Sequence, residues 1–207
     1  MRGLFVTGTD TGVGKTVLSA ALLLRYPEAR YWKPIQTGAR DDDTGDDTAE
    51  VRRLSGGQVI TEGIRLPDPV SPHLAARRVE MTIDLDPLVN QVRPTPLIVE
   101  GAGGVLVPVN DSQTMADFMV LLGLPVMVAA RSTLGTINHT LLTIEALRAR
   151  FLKIAGVVMI GDCNADNRAA IEHYGNVAVI AEMPRFDPLT PESLRAWAQT
   201  LPKDLIA

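Results

Sequence analysis

Short apolar runs recur along the chain, and each is bounded by Gly, Pro or polar residues. A run of this length flanked by turn-forming residues is typical of a strand buried in a sheet. Because the runs are apolar throughout rather than alternating, they favour strands covered on both faces. The predicted strands are Leu4–Thr7, Tyr31–Lys33, Pro96–Glu100, Val126–Ala130, Ile154–Ile160 and Val177–Ile180.

Between these runs, apolar residues recur every three or four positions, which predicts amphipathic helices. The last one opens with Thr190-Pro191-Glu192-Ser193, a helix-capping pattern. Strands that alternate with helices predict a mostly parallel sheet with helices on both faces, a three-layer α/β/α fold. The predicted helices are Thr16–Arg25, Asp47–Leu54, Pro72–Arg78, Asp86–Val92, Thr114–Leu122, Thr136–Phe151, Asn167–Tyr174 and Thr190–Leu201.

Composition narrows the function classes. The 207 residues suit one domain over 1–207, and no repeat or linker divides them. A net charge of −4 argues against a nucleic-acid partner or an anionic membrane surface. The longest apolar stretch, Phe118–Ala130, is interrupted by Gly123 and Pro125, so we expect no membrane span, and the N-terminus has no signal-peptide pattern. The single Cys163 fits a reducing, cytoplasmic location.

The segment Gly8–Thr16, GTDTGVGKT, joins the first predicted strand to the first helix and resembles a phosphate loop. Backbone N–H groups in such a loop curl around phosphates, Lys15 reaches the β- and γ-phosphates, and the Thr16 hydroxyl completes a Mg²⁺ shell. Thr9 stands where the strict pattern has Gly, but Gly-Lys-Thr and the strand–helix context outweigh this mismatch. The predicted nucleotide contacts are Thr11, Gly12, Val13, Gly14, Lys15 and Thr16.

A second signal lies at Leu97–Gly104, LIVEGAGG. Glu100 ends an apolar strand, the position at which phosphate-loop enzymes hold an acid for Mg²⁺. We expect Gly101–Gly104 to form a turn whose residues Gly101, Ala102 and Gly103 let the backbone approach a nucleotide closely. A surface carboxylate at the start of a loop is the alternative reading of Glu100.

With these features in place, the sequence resembles the dethiobiotin synthetase family. The resemblance rests on KPIQTG at Lys33–Gly38, DDTAEV at Asp46–Val51, SPHLAA at Ser71–Ala76, VEGAGG at Val99–Gly104, LGTINHTLLT at Leu134–Thr143 and EMP at Glu182–Pro184, behind the loop VTGTDTGVGKT. The family is a ligase of biotin biosynthesis that takes 7,8-diaminopelargonate, CO₂ and a nucleoside triphosphate. It closes a cyclic urea through a carbamate and a carbamic-phosphoric anhydride.

The resemblance implies roles for individual residues. Lys33, Lys15 and Thr11 would act on the reacting groups, and Lys33 and Thr37 would bind the substrate. Thr16, Asp47 and Glu100 would hold Mg²⁺. The alternative reading of Lys33 is an ordinary solvated lysine before a proline. The choice of Asp47 is insecure because Asp41, Asp42, Asp43 and Asp46 are neighbours.

The family also implies a homodimer with shared active sites. In that family, the segment that matches Leu134–His139 comes from the other subunit. The substrate's carboxylate would be received by Gly135, Thr136, Ile137 and Asn138. A helix N-terminus suits an anion in any family. Without the resemblance, Asn138 and His139 are polar residues of a first helical turn.

The segment expected to recognise the nucleotide's base departs from the family's pattern. Members that select adenine often carry Asn-Asp after the corresponding strand, and the amide side chain reads the base. Here Gly161 follows Ile160 and has no side chain for that contact. Whether Asn164 can make the contact instead is open. Arg185, Phe186 and Asp187 loosely match the other base-side loop. The preference for ATP over other triphosphates is therefore open.

Three other classes share such a loop. A partitioning ATPase would carry a lysine where this chain has Asp10. A cobyrinate-type amide synthetase would continue into a domain with a nucleophilic cysteine. A small-molecule kinase would need an acceptor site and a lid, neither of which the sequence marks clearly.

Overall fold

A computed structural model describes residues 2–39, 45–91 and 96–206. The strands in these residues are β1 Gly3–Gly8, β2 Arg30–Trp32, β3 Ile35–Thr37, β4 Gln58–Ile60, β5 Ile64–Leu66, β6 Leu97–Gly104, β7 Val126–Arg131, β8 Ile154–Ile160 and β9 Val179–Met183. Seven of them form one sheet in the order β4-β2-β6-β1-β7-β8-β9, and β3 and β5 form a separate pair. Every pairing between these strands is parallel.

Eight helices connect these strands in the described part of the chain. They are α1 Lys15–Arg25, α2 Asp47–Ser55, α3 Pro72–Arg78, α4 Leu85–Gln91, α5 Met115–Leu122, α6 Thr136–Arg148, α7 Ala165–Gly175 and α8 Pro191–Ala198. All eight predicted helices are present, with ends that differ by up to three residues. Val92, the predicted end of α4, lies outside the described residues. None of the described helices is long and apolar enough to cross a bilayer.

Apolar side chains on the two faces of the sheet form two separate cores. Leu4 and Val6 of β1 pack with the apolar sides of α1, α2 and α8. Phe5, between them in the chain, points to the other face and joins the core under α3 to α7. There Phe118 of α5 meets the rings of Phe5 and Trp32 edge to face, at centroid distances of 6.2 and 6.1 Å. This confirms the predicted three-layer α/β/α fold.

The sequence pattern did not reveal every strand. The strands β3, β4 and β5 were not predicted, because each is short and contains a polar residue, so none forms an apolar run. The equally short β2 was predicted from Tyr31 and Trp32 ahead of Pro34. The prediction of a turn at Gly101–Gly104 is wrong. Strand β6 runs on to Gly104, which pairs with Gly8 after a shift in register. The GAGG segment therefore lies along the phosphate loop as part of the sheet.

Candidate active site

The phosphate loop lies between β1 and α1, as predicted. Gly14 has φ 102°, a left-handed conformation that a side chain would strain, and α1 begins at the next residue. No described side chain caps this helix start, so its N–H groups are available for an anion. The Lys15 side chain is buried, and its Nζ donates to the carbonyl of Asp10 at 3.0 Å. The loop thus places the positive charge of Lys15 beside the N-terminus of α1.

Two acids, a hydroxyl and a second lysine meet beside this loop. The Thr16 Oγ1 lies 2.9 Å from Asp47 Oδ1 and 3.0 Å from Glu100 Oε1. The Lys33 Nζ lies 2.7 Å from Asp47 Oδ2 and 2.8 Å from Glu100 Oε1, and it also donates to the Gly101 carbonyl at 3.1 Å. Lys33 is therefore not a solvated surface lysine: only 5% of its side chain is exposed.

The charges of this cluster shift one another's pKa values. Burial by itself lowers the pKa of Lys33, but Glu100 and Asp47 outweigh it and raise that pKa above 10.5. Burial favours protonation of Asp47, yet Lys33 and the Thr16 hydroxyl lower its pKa below 3.8. Lys15 has a lowered pKa because it is buried and faces the positive charge of Lys33. Lys33 and Asp47 therefore form a charged pair at neutral pH.

The structure separates the two adjacent acids at the start of α2. Asp46 caps the helix by accepting from the Thr48 N–H at 2.8 Å, and its other oxygen pairs with Arg65 at 2.6 Å. Asp47 faces Thr16 and Lys33 instead. Asp41, Asp42 and Asp43 lie outside the described residues. Of Asp46 and Asp47, only Asp47 is placed as a metal ligand would be.

Hard oxygen donors are what Mg²⁺ requires, and Thr16, Asp47 and Glu100 supply them. In the described residues there is no cluster of three or more His, Cys, Asp or Glu side chains around one point. Two carboxylates and one hydroxyl suit a Mg²⁺ ion that completes its shell with phosphate oxygens and water. The donor set therefore fits the predicted metal.

A cleft of about 630 Å³ opens over these groups. It extends from the phosphate loop to Thr37 of β3 and to the segment before α3, so the SPHLAA motif contributes one wall. The predicted residues that line it are Thr11, Gly12, Gly14, Lys15, Thr16, Lys33, Thr37, Asp47, Glu100, Ala102 and Gly103. The cleft combines two lysines with two carboxylates, an arrangement that can hold anionic groups close together.

A second cavity, of about 430 Å³, lies on the other side of the phosphate loop. Arg185 and Phe186, two of the three residues predicted to lie on the base side, line it together with Val13 and Gly14 of the phosphate loop, whereas Asp187 does not. We call it the base-side cavity. Hydrophobic walls come from Val17, Ile160, Met183 and Leu189. A flat ring could lie between these side chains, close to the loop that would hold its phosphates.

Gly161 could not carry an amide side chain without rearrangement. Its φ is 134°, and a Cβ atom there would lie 2.4 Å from the Ser132 Oγ. Asn164 is not a substitute: its side-chain oxygen caps α7 by accepting from the Asn167 N–H at 2.9 Å. Neither Gly161 nor Asn164 lines the cavity.

Sequence reasoning missed two residues at this site. Arg131, at the end of β7, lines the base-side cavity, donates to the Thr11 carbonyl and pairs with Asp10, both at 3.2 Å. Its place at the carboxyl edge of a parallel strand was a usable signal. Tyr31 donates from its phenol to Glu100 Oε2 at 3.0 Å, and burial beside Glu100 raises its pKa well above 10.0. No local pattern marks that contact.

The structure does not bring the predicted carboxylate-binding segment into the cleft of the same chain. Gly135, Thr136, Ile137 and Asn138 form the start of α6, and none of them lines the cleft. Leu134, just before them, is fully exposed. Further along α6, His139 and Leu142 line a groove of about 400 Å³ beside Thr9, Leu106 and Val107.

The chain is similar in sequence to known proteins over most of its length. A family model described as AAA domain matches residues 2–193. The ATP-dependent dethiobiotin synthetase BioD of Paramagnetospirillum magneticum is 51% identical over 94% of this chain and 93% of its own length. BioD of Agrobacterium fabrum is 44% identical over 94% and 92%. The biotin biosynthesis bifunctional protein BioCD of Bordetella avium is 46% identical over 97% of this chain but only 43% of its own length.

Solved structures share the fold at low identity. A plasmid partition protein of Borrelia burgdorferi superposes with a TM-score of 0.60 at 12% identity, covering 96% of this chain and 95% of its own. The cell division ATPase MinD of Pyrococcus furiosus has a TM-score of 0.57 at 15% identity, covering 97% and 98%. These similarities show a phosphate-loop ATPase fold and nothing more specific.

Proposed function

The chain belongs to the family of ATP-dependent dethiobiotin synthetases, and from that premise we propose that it closes a cyclic urea on 7,8-diaminopelargonate with CO₂ and ATP. One amine nitrogen bonds to the carbon of CO₂ and loses a proton, which leaves a carbamate. A carbamate oxygen attacks the γ-phosphorus, and ADP leaves. The second amine nitrogen then attacks the carbamate carbon, loses a proton and displaces inorganic phosphate.

The observation that carries this proposal is the placement of Lys33 and Lys15 in one cleft. A carbamate and a γ-phosphate are both anions, so their approach needs cations and oriented donors. Lys15 reaches the cleft from the phosphate loop, and Lys33 reaches it from the end of β2. Lys33 would hold the carbamate and the transferred phosphoryl group, and Lys15 and Thr11 would orient the phosphates.

The acids complete the charge balance. Thr16, Asp47 and Glu100 would hold Mg²⁺, which supplies charge neutralisation at the β- and γ-phosphates when bound. Asp47 and Glu100 also restrain the Lys33 ammonium, with which both make contacts of 2.8 Å or less. Thr37 lines the same cleft, where its hydroxyl is available to the substrate.

We propose a homodimer with shared sites. Leu134 is fully exposed beside a helix N-terminus, and Leu106 and Leu142 are both 56% exposed. A second copy would cover these side chains and bring its Gly135–Asn138 N–H groups to the substrate's carboxylate. The single Cys163 is exposed and free, which fits the cytoplasm.

Phosphate release by the purified protein tests the reaction. With Mg²⁺, ATP and bicarbonate, we expect release that depends on the diamine and a matching gain of cyclic urea by mass spectrometry. Release indifferent to the diamine would contradict the proposal and favour a partitioning ATPase. Phosphate transferred onto the diamine without ring closure would favour a kinase.

The same assay with CTP and GTP tests base selection. Since neither Gly161 nor Asn164 lines the base-side cavity, we expect CTP and GTP to support turnover within about tenfold of ATP. A preference for ATP above about a hundredfold would show that other groups read the base.

A further inference from the structure

Tyr31 and Glu100 lie on neighbouring strands and on the same face of the sheet. Strands β2 and β6 are parallel, and Tyr31 is paired with Ile98. Side chains alternate between faces with a period of two, so Glu100 points to the same side as Ile98, and Lys33 to the same side as Tyr31. Tyr31 in β2 and Lys33 directly after β2 therefore both reach Glu100.

The two oxygens of the Glu100 carboxylate have different hydrogen-bond partners. Oε2 accepts the Tyr31 phenol at 3.0 Å. Oε1 receives the Thr16 hydroxyl at 3.0 Å and the Lys33 ammonium at 2.8 Å. Only Oε1 thus contacts the groups predicted to act on metal and substrate.

Both partners of the Tyr31 hydrogen bond are held rigidly. Tyr31 is 0% exposed and Glu100 is 1% exposed. The Tyr31 ring packs in the core with Leu4, Ile98 and the apolar side of α1, so it has no room to turn away. A buried carboxylate oxygen without a donor is unfavourable, which makes this hydrogen bond the natural restraint on Glu100.

We propose that Tyr31 is a positioning residue that fixes the orientation of Glu100 and so sets the protein's affinity for its divalent cation. The phenol holds Oε2 in the sheet and leaves Oε1 directed toward Thr16 and Lys33. Groups that orient a metal-binding carboxylate through a hydrogen bond contribute about 10- to 100-fold to metal affinity. The inference rests on the proposed metal role of Glu100.

The variant Tyr31→Phe removes the hydroxyl and keeps the ring. Binding of Mn²⁺ to the protein saturated with a non-hydrolysable ATP analogue, measured by electron paramagnetic resonance with Mg²⁺ competition, should weaken about 10- to 100-fold. Affinity for the analogue in EDTA should stay within about twofold, since Tyr31 does not line the nucleotide cavities.

Tyr26→Phe is the matched control. Tyr26 is also buried, and its phenol donates at 2.6 Å to the carbonyl of Pro202, which does not line the cleft. This variant should lose a comparable amount of thermal stability without a change in Mn²⁺ affinity. Equal effects of the two variants on Mn²⁺, or a Tyr31→Phe effect on stability alone, would overturn the inference.

A double-mutant cycle shows whether Tyr31 acts through Glu100. In a Glu100→Gln background, Tyr31→Phe should change Mn²⁺ affinity by less than about twofold. A full 10- to 100-fold loss in that background would also overturn the inference. If Glu100→Gln by itself bound Mn²⁺ like the parent, the metal role of Glu100 would fail instead, and the positioning role with it.

A measurement on the unmutated sequence covers the case in which Tyr31→Phe does not fold. The chain has three tyrosines, so 3-fluorotyrosine labelling yields three ¹⁹F signals, assigned with Tyr26→Phe and Tyr174→Phe. Addition of Mg²⁺ to the nucleotide-bound protein should shift the Tyr31 signal and leave the Tyr26 signal in place. A Tyr31 signal that does not move would contradict the proposal.

Discussion

Asp46 and Asp47 are neighbours in the chain, but their carboxylates have different partners. Asp46 is used by the fold, as the cap of α2 and the partner of Arg65. Asp47 is directed at Thr16 and Lys33 in the cleft. A single position thus separates an acid that stabilises the protein from one that is available to a metal.

The paired variants Asp47→Asn and Asp46→Asn test this difference. Asp47→Asn should raise the Mg²⁺ concentration needed for half-maximal phosphate release by about tenfold or more, because it removes a charged oxygen ligand. Asp46→Asn should leave that concentration within about twofold and lower the melting temperature, because it weakens a cap and an ion pair. Magnesium titrations and melting curves of both variants check the prediction. Identical magnesium curves would contradict it.

Lys33 makes ion pairs with two acids of the cleft, and we propose that it also acts on the reacting groups. Lys33→Met should reduce diamine-dependent phosphate release by at least about a thousandfold, because it removes a cation from the reacting anions. It should also destabilise the metal-free protein by about 3 kcal/mol, because Asp47 and the buried Glu100 would lose their counter-ion. Urea unfolding in EDTA measures the second effect. The exposed Lys153→Met is the control, and a Lys33→Met protein as stable as that control would refute the buried pair.

Helix α5 is held at its start by a side-chain cap, the clearest element-scale feature outside the site. The Asp117 carboxylate accepts from both the backbone N–H and the hydroxyl of Thr114, at 2.6 and 2.7 Å. These hydrogen bonds lower the pKa of Asp117. The cap fixes a helix whose Phe118 packs against Phe5 beneath β1.

Asp117→Ala should therefore lower the free energy of unfolding by about 1 kcal/mol at neutral pH. The pKa of Asp117 is lowered in the folded protein, so its contribution is present above pH 3.8 and is lost as the pH falls through that lowered pKa. Parent and variant should thus converge in acid. Urea unfolding at several pH values checks this, with Asp166→Ala in α7 as the control. A difference that persists below the titration of Asp117 would contradict the prediction.

At the scale of the whole molecule, the proposed dimer makes each active site depend on two chains. Within one chain, the start of α6 does not line the cleft that holds Lys33. Lys33→Met and Asn138→Pro should each be weakly active as pure homodimers, because Asn138→Pro removes one of the N–H groups in the first turn of α6, where proline is tolerated. When the two are co-expressed and purified together, mixed dimers contain one intact site.

The mixture should then recover about one quarter of the parent's activity, because half of the dimers are mixed and each has one of two sites intact. Light scattering should report twice the chain mass of 22.3 kDa for the parent and both variants. Activity that is no higher in the mixture than in the pure variants would show that each chain builds its own site. A monomer with full activity would exclude the shared site altogether.

Sequence by itself determined the features that depend on neighbouring residues. Apolar runs and helical periods predicted all eight described helices and six strands, because burial imposes those periods locally. The loop GTDTGVGKT predicted the phosphate site, because its backbone conformation and its lysine lie within nine consecutive residues. Motifs spread along the chain indicated the family before any contact was known.

Only the tertiary structure decided the features that depend on residues far apart in the chain. Tyr31 meets Glu100 across 69 positions, and Arg131 meets Thr11 across 120, so no local pattern could have shown either contact. Contacts between distant residues also decided which of Asp46 and Asp47 faces the cleft. In the same way, Ser132 occupies the space that a side chain at Gly161 would need. Short-range periodicity is encoded by which side chains must be buried, whereas the partners of a buried polar group are chosen by strand order and register.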